Sequence, residues 1–236
     1  MPYQEDDQMI RLERSEALQR KIRKDDATDL GISTWKLVRD SIKAGRVDEA
    51  LDFIDYELVR HEAAIDSLTL GRDLLLTRLA SFGEEEVEKF SRERYYPSVR
   101  DWLSTTPGVE ESLQRFTEIF RVFTQNLSVT EERDRYVMKL DPCGTGGRLR
   151  RTRSVGATRK AYPWSWNKSG VCYYCTHCSV FQEILPIEMR GYPICVTQYA
   201  DNPEDPCLHF YYKKPELIPD EYFIRVGKFP WRKKSR

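Results

Sequence analysis

No apolar run in the 236-residue chain approaches the roughly 20 residues needed to span a bilayer, so no membrane-spanning helix is expected. The start, Met1-Pro2-Tyr3-Gln4-Glu5-Asp6-Asp7, is polar and acidic, unlike a secretory signal. Internal repeats and low-complexity tracts are absent. The 38 basic residues are matched by 38 acidic ones, which leaves no net charge with which to hold a polyanion. Hydrophobic residues at 40% and aromatics at 12% describe instead a folded protein with one large core or two smaller ones. Six cysteines, three of them between Cys172 and Cys178, suit a reducing compartment, and the expected location is cytoplasmic.

The zero net charge conceals a segregation. Residues 141–170 carry seven bases against Asp141, residues 171–212 carry Arg190 against five acids, and residues 213–236 carry eight bases against three acids. The first 140 residues are correspondingly acidic.

Helical periodicity dominates that first part. Residues 1–32 are mostly charged and are expected to be part helical. Ser33 or Thr34 caps a helix through Trp35, Leu37, Val38 and Ile42 to a stop at Gly45. A long pattern covers 48–82, with Leu51, Ile54, Leu58, Ile65 and Leu68 on one stripe, Gly71 as a candidate break and Gly83 as the end. His61 falls in that stripe one turn after Glu57 and is expected to point inward. Further helices are expected over Glu84–Ser104, bent or interrupted at Pro97, and over Val109–Gln125. Tyr136–Leu140 reads as a strand, residues 148–170 as a long functional loop, and Val171–Met189 as a helix interrupted near Pro186. Tyr192–Tyr199 and Cys207–Lys213 alternate like the strands of an antiparallel hairpin, and Pro219–Val226 is a last short helix before a basic tail. The expected fold is α+β: an N-terminal helical bundle, 1–127, packed on a small antiparallel sheet within 128–236.

The chemistry concentrates between Asp141 and Cys178. Cys172, Cys175 and Cys178 are spaced so that adjacent pairs can reach one ion, and thiolates bind zinc in tetrahedral sets. The same run opens bacterial iron–sulfur motifs, but the usual fourth Cys-Pro is replaced by Ser179-Val180-Phe181. Zinc is therefore the expected cofactor, an iron–sulfur cluster the alternative, and three buried thiols packed as small hydrophobes the plain reading. Cys143, in the turn Asp141-Pro142-Cys143-Gly144-Thr145-Gly146-Gly147, is the first choice to complete the site. Cys195 and Cys207 come next, with His61 and His209 also open. That turn lacks the Lys-Ser/Thr ending of a phosphate loop, and its glycine spacing is not that of a dinucleotide fingerprint. A thiolate there also suits a nucleophile, or the cysteine is incidental to a tight turn.

Around the metal, His177 and His61 are the candidate proton carriers, with Glu183 as partner carboxylate. A histidine hydrogen-bonded only for packing fits His61 as well. Arg148, Arg150 and Arg151, with Trp164, are the candidate holders of a small anionic organic ligand. Arginines beside Tyr162, Trp164 and Trp166 also suit nucleic acid. The acidic 171–212 segment and the lack of an RNA-binding signature argue against that partner.

The order of a helical region, a strand, a cysteine-bearing helix and a hairpin, with the ending Asn202-Pro203-Glu204-Asp205-Pro206-Cys207-x2-Phe210, resembles two related groups. They are the vinyl-reductase-type small-molecule-binding domains and the 2-amino-thiazoline-4-carboxylate hydrolases, over residues 130–215. The resemblance implies zinc held by cysteines and a carboxylate beside a pocket for a small organic ligand. The Cys195–Cys207 interval is longer than that zinc pattern, and the Asp141–Gly147 turn lies outside it. The function expected is a zinc-dependent hydrolase or lyase for a small anionic compound. The alternatives are a non-catalytic binding or sensor domain with structural zinc, and an iron–sulfur redox protein. A homo-oligomer is compatible with each.

Overall fold

Helices and antiparallel strands alternate along the computed structural model, which describes residues 11–106, 108–123 and 126–230. Parts of two expectations lie outside these residues: the segment 1–10 and the basic tail from 231 onward. Contacts divide the chain inside its longest helix, into units 1–64 and 65–236.

The described part of the first unit starts with a hairpin, within the segment expected to be part helical. Strands β1 (Arg11–Ser15) and β2 (Arg20–Lys24) pair antiparallel, with Glu13 and Lys24 joined at 2.9 Å. Such short, charged strands leave little apolar periodicity to read. Helix α1 (Thr34–Lys43) buries Thr34, Leu37, Val38 and Ser41, a helical spacing, and ends before Gly45 at φ +74°, a conformation that glycine adopts without strain. Leu37 and Val38 pack with Ala50 and Phe53 from the start of α2 (Val47–Ala80).

The stripe expected on α2 is buried only in part, at Ile65 and, half-buried, at Ile54. Leu51, Leu58 and Leu68 are exposed, and so is His61. The carboxylate of Glu57 accepts from Arg60 at 2.8 Å. One phase does not describe all 34 residues. Ala50 and Phe53 bury near the start, while Ile65, Thr69, Asp73, Leu76 and Ala80 define a second stripe toward the end. Gly71 does not break the helix, because it lies on an exposed surface with nothing within 4 Å of a would-be side chain.

In the second unit, α3 (Glu84–Thr105) runs through Pro97 without interruption. Its first turn carries Glu84, Glu85 and Glu86, which favour the positive end of the helix dipole. Helix α4 (Val109–Arg121) stops short of the expected Gln125, and residues 124 and 125 lie outside the described set. Its buried Ser112, Phe116 and Phe120 recur every four residues.

Strands β3 (Leu127–Glu131), β4 (Arg135–Leu140), β5 (Val196–Gln198) and β6 (Cys207–Tyr212) form an antiparallel sheet ordered β3-β4-β6-β5. The edge strand β3 gave no signal, since four of its five residues are exposed. The expected pairing of the last two strands is present, although β5 is shorter than Tyr192–Tyr199. Register places Cys207 opposite Leu140 and His209 opposite Met138. One face therefore carries Met138, Leu140, Cys207, His209 and Tyr211. Met138, Leu140 and Tyr211 pack there with Trp102, Phe116 and Phe120 from α3 and α4.

Two more segments position the site. Helix α5 (Gly146–Thr152) starts inside the glycine turn, where a loop was expected. The remainder of that loop is packed. Thr158 and Tyr173 donate backbone bonds to Val171 and Gly156, and the buried carboxylate of Glu84 accepts from Tyr173 at 2.6 Å, Tyr162 at 2.8 Å and the Arg159 amide at 2.7 Å. The cysteine-bearing helix begins only at α6 (Thr176–Cys178), continues as a π-helical turn (Ser179–Ile184) and ends in α7 (Leu185–Arg190). Pro186 has no N–H to give to the carbonyl four residues earlier, that of Gln182, which accepts instead from Ile194 at 2.8 Å. The chain ends with α8 (Asp220–Ile224), the short helix expected there. Among the described residues no helix is long and apolar enough to cross a membrane.

Candidate functional site

Cys143, Cys175 and Cys178 line one cavity, and Cys207 joins them. The four thiols come from three separated places: the turn after β4, the entry to α6, and the first residue of β6. His177, His209, Thr145 and Trp166 complete much of the wall. The volume is about 30 Å³, enough for a water or a single ion and roughly tenfold below a small-molecule pocket. All six cysteines are free.

The glycines of the turn have a steric purpose. A methyl group on Gly146 would stand 2.5 Å from Cys175 Sγ, and one on Gly147 would stand 2.9 Å from Cys143 Cβ. Only bare backbone lets the turn approach both cysteines at once. Arg148 closes it by donating its amide to the Cys143 carbonyl at 2.9 Å.

Both histidines have one ring nitrogen committed. His177 Nδ1 lies 2.6 Å from the Tyr174 carbonyl, an acceptor, so Nδ1 carries the proton. Its Nε2 then faces Cys178 Sγ at 3.5 Å as an acceptor. His209 Nδ1 lies 3.0 Å from Gln182 Oε1. The same Oε1 accepts from Thr197 Oγ1 at 2.7 Å and Cys195 Sγ at 3.2 Å. This leaves Nε2 as the acceptor nitrogen of His209 as well. An imidazole whose second nitrogen is held by an oxygen is the arrangement of a metal-ligating histidine.

Burial favours the neutral forms of these side chains. Burial, followed by Arg72, pushes His177 down to about 3, and burial pushes His209 down to about 4. The hydrogen bond with Cys172, then burial and the neighbouring thiols, raise Cys175 well above the ordinary thiol range. Burial and then Cys143 do the same for Cys178. Cys207 rises to about 11 through burial and the proximity of Cys143. Arg72 is a buried cation that interacts with Cys175 and Cys178. Its guanidinium lies between the rings of Tyr95 and Tyr174, at 5.1 and 5.2 Å, and donates to the Tyr95 hydroxyl. Burial lowers its pKa, while Tyr174, Cys178 and Cys175 act to raise it.

Several expected site residues are occupied elsewhere. Cys172 is turned toward Asp73, with Sγ 3.7 Å from Oδ1, and does not line the cavity. Glu183 is fully buried and accepts from Trp166 Nε1 at 2.8 Å, the Thr197 amide at 2.9 Å and Arg225 Nη2 at 2.8 Å. Burial raises its pKa against the pull of Arg225, and its geometry is that of a positioning group for Trp166. Trp164, expected over the ligand, is a core residue stacked on Tyr162 at 4.9 Å. Arg148 forks onto Asp66 at 2.8 and 3.2 Å. Arg151 donates to the Pro203 carbonyl at 2.8 Å and the Cys143 carbonyl at 3.3 Å. Arg150 does line the cavity, yet it donates to the carbonyls of Ala200 and Asp201 and covers the ring of Tyr199. The arginines thus clamp the 200–203 connection and the glycine turn, and they form no open anion lid. His61, exposed in the first unit, does not line the cavity.

No protein family, curated protein or solved structure matches this chain. The site is therefore read from its own donors. Among the described residues, no group of three or more His, Cys, Asp or Glu side chains stands already arranged to hold a metal ion. Protonated thiols have no reason to converge, and metal binding requires their deprotonation and rotation. Trp166, set among the aromatics of the basic loop, is a wall residue, and so are the further ligand candidates Cys207 and His209. For the last two the signal was present in the alternation of β6, which puts them on one face.

Proposed function

We propose that this chain binds zinc in the cavity through the thiolates of Cys143, Cys175, Cys178 and Cys207, with the Nε2 atoms of His177 and His209 at its wall. The supporting observation is the convergence of four thiols and two oriented imidazoles on a space of about 30 Å³. A soft donor set of this kind selects thiophilic metals over magnesium or calcium. The site offers at least four protein donors and no room for an organic substrate beside an ion. This favours a structural centre within a small-molecule-binding domain over a hydrolase or lyase, whose metal keeps an open position.

The test is elemental analysis of the anaerobically purified full chain and of Cys143→Ser, Cys175→Ser, Cys178→Ser, Cys207→Ser and Cys172→Ser. Stoichiometric zinc in the wild type and in Cys172→Ser, with loss in the other four, is expected. Zinc that survives both Cys143→Ser and Cys207→Ser would refute the shared site. An iron–sulfur cluster is the alternative that the same preparation tests. Iron with visible absorbance in the same preparation would select it.

A further inference from the structure

A larger cleft is lined by Arg190, Tyr192, Ile194, Phe210, Tyr212 and Lys213, among others, with a volume of about 200 Å³. On β6, Phe210 and Tyr212 alternate with Cys207, His209 and Tyr211, so the cleft and the cysteine cavity draw on opposite faces of that strand. We propose that this cleft binds a small organic anion, a carboxylate carried on a flat apolar body of about one aromatic ring. The proposal does not depend on the metal.

Size and lining set the class of ligand. The volume falls just under the range of about 300–1,000 Å³ typical of drug-sized ligands, which suits a single ring better than a nucleotide. Tyr192, Phe210, Tyr212 and Ile194 offer aromatic and aliphatic walls. The charge comes from Arg190. Its Nε and Nη2 donate to the carbonyls of Tyr192 and Pro193 at 3.3 and 3.0 Å, and its guanidinium lies 4.1 Å from the centre of the Tyr192 ring. These contacts fix the head, and they leave Nη1 without a partner among the described residues. No carboxylate there pairs with Arg190, although burial disfavours its charge. An anion in the cleft would supply the missing countercharge.

The other charged groups set the orientation. Lys213 is neutralised by Glu131 at 2.6 Å, Arg135, 4.5 Å over the Phe210 ring, pairs with Glu132 at 2.7 Å, and the carboxylate of Glu111 lies against Gly108. The ligand carboxylate is therefore assigned to the Arg190 side and its ring to Phe210 and Tyr212.

The probe is benzoate, titrated against the full chain and followed by calorimetry, with benzamide as its neutral counterpart and inorganic phosphate as competitor. Saturable benzoate binding is expected, at least tenfold weaker for benzamide and not displaced by equimolar phosphate. Arg190→Gln should weaken benzoate at least tenfold with zinc content unchanged. Because Arg190 also holds its own turn, Val109→Trp provides a second variant that narrows the cleft without touching the cation, and it too should weaken benzoate. Equal binding of benzoate and benzamide, displacement by phosphate, or benzoate binding indifferent to both variants would overturn the proposal. Zinc content reports on the cysteine cavity alone, so the two readings fail separately.

Discussion

Gly146 and Cys175 are in direct contact, with the Sγ of the cysteine 2.5 Å from where the first side-chain carbon of any other residue would lie. The ring of Tyr174 stands at 3.2 Å from the same point, so neither neighbour can withdraw without shifting the other. Gly146→Ala should cost about 1–3 kcal/mol, the usual range for overpacking a filled site, and should abolish the zinc binding proposed above. Urea denaturation and metal content check both. Gly71→Ala, on an open helical surface, is the control and should stabilise by roughly 0.5–1 kcal/mol. A harmless Gly146→Ala would mean the turn does not hold the cysteine in place.

For the proposed thiolate centre, Arg72 is the expected countercharge. It sits between Tyr95 and Tyr174 beside Cys175 and Cys178, and among the described residues no carboxylate pairs with it. Given the zinc reading, Arg72→Gln should reduce zinc affinity by about 10–100-fold, the range for outer partners of metal sites. Arg72→Lys should lose less. Competition with a chromophoric chelator measures it, and an unchanged affinity would remove Arg72 from the site.

Glu183 is predicted to act through structure. Glu183→Ala leaves the Trp166 N–H and the Thr197 amide without their acceptor and Arg225 with only the Thr197 carbonyl, and removal of one partner of a buried pair costs about 3–5 kcal/mol. Denaturation followed by tryptophan fluorescence is suitable, since Trp166 loses its anchor as well. A loss below about 1 kcal/mol, the value of an ordinary hydrogen bond, would contradict the positioning role.

Acid sensitivity should centre on Glu84. Burial pushes its carboxyl up, but bonds from Tyr173, the Arg159 amide and Tyr162 outweigh it and hold the pKa below the ordinary 4.5. A depressed carboxylate contributes stability that is complete above its unfolded value and is lost as pH falls through its folded one. Unfolding free energy should therefore decline below pH 4.5 more steeply in the wild type than in Glu84→Gln. Parallel acid limbs would show that Glu84 does not drive the loss.

Much of the scaffold could be read from local pattern. The helices over Thr34–Lys43 and Glu84–Thr105, the strand ending at Leu140 and the pairing of β5 with β6 follow from apolar spacing and turn residues, which act within a few positions. The hairpin Arg11–Lys24 and the edge strand β3 escaped because charged or exposed strands carry no buried period. Cys143, Cys175 and Cys178 were legible for a local reason too, a two-residue spacing and a glycine turn at a strand end.

Sequence alone determined which side chains are chemically able to hold a soft metal, because thiol and imidazole are properties of the residue. Tertiary structure decided which of them meet. Trp164 and Trp166 are two residues apart, yet one fills the core while the other, at φ +54°, walls the cavity. Arg148 finds Asp66 across 82 positions, and the Glu57–His61 spacing leads to an exposed histidine. Charge partners and burial depend on segments that approach only after folding, and no periodicity encodes an encounter of that kind.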